Sequence, residues 1–184
     1  MERCKFICVM LKPYFMGSVK RRFFLKEKDA KNLLREISEI FGTGLFGVGA
    51  KPKIEVAEIS SGEIFIINDK PALIRCNGVL MPTLTFQGLI SILPKVIVDM
   101  GAIPHVCNGA DIMAPGIVRV EGEFKEGSLT VVLDEKHGKA IAVAKALVGS
   151  EEIKSLKHGK ALKNLHYVGD AFWEAINTFQ KRRG

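Results

Sequence analysis

The chain has 184 residues, enough for one well-packed domain or two small ones, and with 47% hydrophobic residues it can bury a core rather than remain a disordered tail. No run approaches the roughly 18 apolar residues of a membrane span, and Met1-Glu2-Arg3-Cys4-Lys5 lacks the basic start and apolar stretch of a signal peptide, so a cytoplasmic protein without membrane contact is expected. The formal charge of +7 falls wholly in the first third, where residues 1–53 hold 12 Lys/Arg against 5 Asp/Glu; residues 54–184 balance at 15 each. This asymmetry, carried chiefly by Lys20, Arg21, Arg22, Lys26, Lys28, Lys31 and Arg35, points toward a polyanion such as RNA.

Apolar residues at Ala30, Leu33, Leu34, Ile37, Ile40 and Phe41 predict an amphipathic helix over Asp29–Phe41, with Asp29 as N-cap and Gly42 as terminator. Lys28, Lys31 and Arg35 fall on its opposite, solvent-facing side. Gly42-Thr43-Gly44-Leu45-Phe46-Gly47 matches G-x-G-x-x-G, but a dinucleotide loop needs a strand before it and a helix after it. Here a helix precedes, so a surface loop is the better reading and no cofactor is expected.

Past Pro52 the pattern turns to short strands at Ile54–Ile59, Glu63–Asn68 and Pro71–Asn77, separated by Ser60-Ser61-Gly62 and Asn68-Asp69-Lys70. Residues Phe86–Leu93 form an apolar linker, and a module boundary is expected near Leu93-Pro94. A second set of strands follows at Lys95–Asp99, Gly116–Glu121, Leu129–Leu133, Ala140–Val148 and Leu165–Val168, with a helix over Ser150–Leu162. Their spacing suits a small closed or nearly closed barrel. Asp170 then caps a C-terminal helix with an apolar stripe of Phe172, Trp173, Ile176 and Phe179. The fold class is α+β.

Within the second set, Val98 to Ile117 has its own punctuation. Gly101 ends an apolar strand, Pro104 suits the first turn of a short helix, Gly109 suits the left-handed residue after it, and Pro115-Gly116 makes a turn into the next strand. Asp99 reads as a cap and Asp111 as a loop hydrogen-bonder rather than an acid/base pair.

Cys4, Cys8, Cys76 and Cys107 have no zinc-site spacing, and His105, His137, His158 and His166 accompany no catalytic motif. Neither a metal nor catalytic chemistry is expected.

The segment Val98–Ile117 resembles the signature of the PUA domain, an RNA-binding fold named after pseudouridine synthases and archaeosine transglycosylases. Met81-Pro82-Thr83-Leu84 and the run from Asn164 to Trp173 extend the likeness to translation-machinery-associated proteins, in which a pre-PUA module precedes the PUA domain. The chain looks like an archaeal-type member; eukaryotic relatives act in ribosome recycling and re-initiation on the small subunit and handle tRNA. The likeness is strongest over residues 81–173 and weak over 1–50. It implies a pre-PUA α+β module at 1–93, a PUA pseudo-barrel of mostly antiparallel strands at 94–170 and a helix at 171–184.

By position, the resemblance assigns RNA binding to Gly101, Ala102, His105, Asn108, Gly109 and the loop Met113, Ala114, Pro115, Gly116. A second phosphate surface is expected along Lys136 to Lys163, a local charge of +5 that includes Lys136, Lys139 and Lys145, and a third at Lys20, Arg21 and Arg22. These readings imply a non-catalytic factor binding tRNA or the small ribosomal subunit, with a translation-factor protein as a further partner. Its rivals are the RNA-recognition subunit, acting in trans, of a pseudouridine- or archaeosine-type modifying enzyme, and a protein–protein adaptor.

Overall fold

A computed structural model of the protein describes residues 19–42 and 52–181. The G-x-G-x-x-G loop after Gly42, and Cys4 and Cys8, lie outside the described residues. Strand β1 (Arg21–Phe24) leads into helix α1 (Glu27–Phe41), and four strands follow: β2 (Ile54–Ile59), β3 (Gly62–Ile67), β4 (Lys70–Cys76) and β5 (Val79–Pro82). These five strands form an antiparallel sheet in chain order. Its turns carry the left-handed residues Asn68, Asp69 and Asn77, a conformation that Asn and Asp tolerate better than most.

This first sheet is buried on both faces, so its strands read as continuous apolar runs such as Ile64-Phe65-Ile66-Ile67. Ile54, Val56, Phe65, Ile67 and Leu73 pack against Leu33 and Ile37 of α1. The alternate residues Ala57, Ile59, Ile64, Ile66 and Ile74 point the other way, into a core shared with the rest of the molecule.

A short helix, α2 (Gln87–Ile90), buries Leu89 and Ile90 at the end of the first sheet, while Ile92 faces solvent. Then come β6 (Lys95–Val98), α3 (Ile103–Val106), β7 (Ile112–Met113), β8 (Ile117–Glu121), β9 (Leu129–Asp134), β10 (Ala140–Ala146), α4 (Ser150–Ser155), β11 (Lys160–Tyr167) and α5 (Ala171–Lys181). The second sheet has the order β7-β11-β10-β9-β6-β8, antiparallel except for the parallel pair β6–β9. Its two edge strands, β7 and β8, are joined by only the 3-10 turn Ala114–Gly116, so the sheet curls until its edges approach. Val96, Val98, Val132, Ala142, Ala144 and Leu162 fill the inside of this curl.

Val131 and Val143 point out of the curl toward the first sheet, and α5 completes the junction with Phe172, Ala175, Ile176 and Phe179. At its centre lies His166, wholly buried, whose Nδ1 is 2.7 Å from Asp170 Oδ2 and whose Nε2 faces the Leu84 N–H at 3.5 Å. A neutral ring donating from Nδ1 and accepting at Nε2 satisfies both partners.

Two expectations require correction. Helix α1 starts at Glu27 with Lys26 at its N-cap, so Asp29 lies in the first turn, where its charge favours the helix dipole without capping it. The helix expected over Ser150–Leu162 stops at Ser155, and Lys160–Tyr167 is strand β11. Gly42 does terminate α1, at φ +89°, and Asp170 Oδ1 does accept the Trp173 N–H at the start of α5, at 2.8 Å.

Candidate nucleic-acid interface

The signature segment runs over the open end of the curled sheet. Asp99, just past β6, accepts the Ala102 N–H at 2.7 Å and so turns the chain into α3, whose first turn holds Pro104. Gly109 follows the helix at φ +87°. A Cβ there would come within 2.9 Å of Tyr167 Oη, so glycine is needed both for the backbone angle and for the approach of Tyr167. At the other end of α3, a Cβ on Gly116 would lie 3.1 Å from the Ala102 Cβ. The 3-10 turn and the start of α3 therefore lie side by side, so close that a side chain on Gly116 would push the Ala102 methyl back by a few tenths of an ångström.

A set of long-range bonds fixes this segment to β11. Asn164 Nδ2 donates to the carbonyl oxygens of Val106 and Ala110 at 2.9 and 3.0 Å. Asp111 accepts the Asn164 N–H at 3.1 Å and pairs with Lys160 Nζ at 2.8 Å. The Lys160 ammonium holds the Asp111 carboxyl below its ordinary value; partial burial opposes this, and the Asn164 N–H and the charge of Lys163 add to it.

The expected residues divide into groups. Gly101, His105, Asn108, Gly109, Met113 and Pro115 are exposed, Ala102 and Gly116 are half-buried beneath them, and Ala114 is buried. Lys136 and Lys139 join this face. Because β6 and β9 run parallel with Val98 opposite Asp134, the β9–β10 hairpin emerges beside the loop that begins at Asp99. Glu135 Oε1 accepts the Met100 N–H across that gap at 3.2 Å.

The hairpin is itself pinned by Asp134. Burial alone would raise this carboxyl, but the N–H groups of His137, Lys139 and Lys136 outweigh it and hold it below its ordinary value.

Lys145 lies at the other end of β10, opposite Lys163 on β11 and Leu129 on β9, away from Lys136 and Lys139. Arg21 and Arg22 sit on the outer edge of the first sheet. Arg21 faces Glu58 at 3.7 Å, and Arg22 grips Glu55 through two bonds of 2.7 and 2.6 Å and covers the Phe179 ring at 5.0 Å. Arg22 thus ties β1 to α5. Lys20 is exposed and, among the described residues, makes no ion pair. Asn164, Glu135 and Tyr167 are the residues around the segment that sequence reasoning did not find, and Lys160, expected within the Lys136–Lys163 phosphate surface, pairs with Asp111.

Exposed Met100, Met113 and Val118 ring the segment with apolar surface. Small residues at its centre, apolar side chains around it and lysines on one flank let a polyanion backbone approach closely while flat groups rest beside it. Among the described residues no group of His, Cys, Asp and Glu is arranged to hold a metal, and no helix is long and apolar enough to cross a membrane.

The family model described as the PUA domain matches residues 94–168, and a domain of unknown function, DUF1947, matches residues 21–87. An uncharacterized protein of Methanocaldococcus jannaschii is 39% identical over 84% of this chain and 96% of its own length. Translation machinery-associated protein 20 of Saccharomyces cerevisiae is 31% identical over 66% of this chain and 80% of its own length. The chain belongs to this family of DUF1947–PUA proteins. The same architecture occurs in the crystal structure of a hypothetical protein from Pyrococcus horikoshii OT3, which is 33% identical and superposes with a TM-score of 0.70 over 85% of this chain and 99% of that one. The family's two models fall on the two sheets, the signature segment lying within the second.

Proposed function

We propose that this protein is a non-catalytic, cytoplasmic RNA-binding factor of the translation apparatus, taking tRNA or RNA of the small ribosomal subunit on the face of the signature segment. One observation carries the reading. The parallel β6–β9 pair brings the Lys136–Lys139 hairpin alongside the segment that exposes Gly101, Gly109 and Ala110, joining cations to a surface that a sugar–phosphate backbone can approach. Membership in a family that includes a translation machinery-associated protein supports the translational setting. We read residues 1–93 as the pre-PUA module, 94–170 as the PUA domain and 171–184 as the helix that fastens one to the other. Lys20 and Arg21 offer a second basic edge for RNA or for a partner protein, whereas Arg22 is engaged within the fold.

The test is binding of a tRNA transcript and co-sedimentation with small ribosomal subunits over a range of salt. Replacing Lys136 and Lys139 by alanine should reduce the dependence of log affinity on log salt by about 0.7 to 0.9 for each phosphate that is no longer neutralised. An unchanged slope would remove this hairpin from the interface, and failure of the unmodified protein to bind either RNA would end the proposal.

A further inference from the structure

Between the two modules lies a groove of about 590 Å³, bordered on β11 by Asn164, the residue that also holds the signature segment. One wall is the end of the β4–β5 hairpin, with Cys76 and Asn77. The other is the β10–β11 pair, where Lys145 and Lys163 stand directly opposite each other on adjacent strands. Like charges so placed repel and destabilise a sheet, yet both side chains are exposed and, among the described residues, neither is paired with a carboxylate. Asp111, whose carboxyl feels the charge of Lys163, is already held by Lys160. Glu126 is the groove's one acidic lining residue. Beneath the lysines the floor is apolar: Val79 and Met81 from the first sheet, Leu147 and Leu165 from the second.

We propose that this groove holds an unpaired nucleotide of the bound RNA, its base on the apolar floor and its flanking phosphates on Lys145 and Lys163. The inference rests on the RNA-binding reading above and adds a contact that the signature face does not provide. Two uncompensated cations side by side fit a phosphodiester, which offers anionic oxygens to both at once. The apolar floor fits the face of a base, and the volume lies within the range of about 300 to 1,000 Å³ common to small-ligand sites. A double-helical stem is too wide to enter, so the groove selects single-stranded RNA. Because its two walls belong to different modules, an RNA seated there touches both.

The experiment compares the unmodified protein with a Lys145→Ala/Lys163→Ala variant on two probes, a single-stranded oligouridine and a blunt-ended, fully paired RNA duplex. Far-UV circular dichroism checks the fold, and a Lys145→Gln/Lys163→Gln variant, which keeps most of each stem, replaces the first if it fails to fold. The salt slope on oligouridine should fall by about 0.7 per lysine removed, while the slope on the duplex stays the same. Equal slopes on oligouridine for both proteins would overturn the assignment, and so would an equal fall on both probes, which would mean that the lysines meet a duplex. Displacement of oligouridine by uridine monophosphate at comparable concentration would overturn it in favour of a free nucleotide. Failure of the unmodified protein to bind any RNA would sink the functional reading and this inference together, whereas unchanged slopes in the variant sink this inference alone.

Discussion

Gly109 shows how one residue can carry two constraints at once. Its φ of +87° is strained for any side chain, and its missing Cβ makes room for the Tyr167 ring, whose Cε1 and Cζ would also lie 3.1 Å from that atom. Gly109→Ala should therefore cost about 1 to 3 kcal/mol of stability, measured by urea denaturation. Gly116 has an ordinary backbone and a single tight neighbour, the Ala102 methyl. Gly116→Ala should remain folded with a smaller loss, which makes it the better probe of RNA affinity at this face. A Gly109→Ala variant as stable as the unmodified protein would mean that the loop relaxes freely away from Tyr167.

Among the elements, α5 depends most visibly on a single side chain. Asp170 caps the helix through Oδ1, and through Oδ2 it accepts the Tyr167 N–H at 3.2 Å and pairs with buried His166. Asp170→Ala removes the cap, worth about 1 kcal/mol, and leaves a buried imidazole N–H unsatisfied, worth about 1 to 3 kcal/mol more. Asp170→Asn keeps an oxygen for the cap, so its midpoint in chemical denaturation should fall between those of the alanine variant and the unmodified protein. If both variants denature at the same midpoint, the cap contributes nothing and the lost His166 bond accounts for the whole effect.

Legibility in the sequence follows the same elements. The stripe of α1 stands in the sequence because Leu33 and Ile37 recur at helical spacing, and Ile54–Ile59 because a short run with three β-branched residues lies between turn signals. Strand β11 does not: a register shift against β7 between Lys160 and Leu162 buries Ala161 and Leu162 in succession, which erases the alternation and imitates a helix. The short edge strand β1, Arg21-Arg22-Phe23-Phe24, pairs on one side only and leaves three of its four residues exposed, so it carries no apolar period either. The signature loop is legible where its bonds are local, as with Asp99 and Gly109. The residues that hold it in place are not, because Glu135, Lys160 and Asn164 reach it across separations of 35, 49 and 53 positions.

At the scale of the whole molecule, the two sheets do not keep separate cores. Ile59, Ile64, Ile66 and Met81 of the first share one cluster with Val131 and Val143 of the second and with Phe172 and Ile176 of α5. We expect the modules to unfold as one unit. Trp173, the sole tryptophan, sits half-buried on α5 against that cluster and reports on the junction, while far-UV circular dichroism reports on both sheets. Thermal or urea transitions followed by the two signals should coincide, as a two-state process requires. Trp173 fluorescence changing well before the circular dichroism would mean that the junction opens while the modules stay folded.

The strand orders of the two sheets also set a timetable for folding. In the first sheet each strand pairs with its neighbour in the chain, so hairpins close locally and early. In the second, β7 at residues 112–113 waits for a partner that arrives only with residues 160–162, and β6 pairs in parallel with β9, which follows only after α3, β7 and β8. The meander is thus complete long before α5 exists to cover its inner face. A chain still emerging during synthesis, before β9, β10 and α5 have closed over it, presents Ile59, Ile64, Ile66 and Ile74 to solvent on an otherwise finished sheet, the kind of surface that draws chaperones and aggregates.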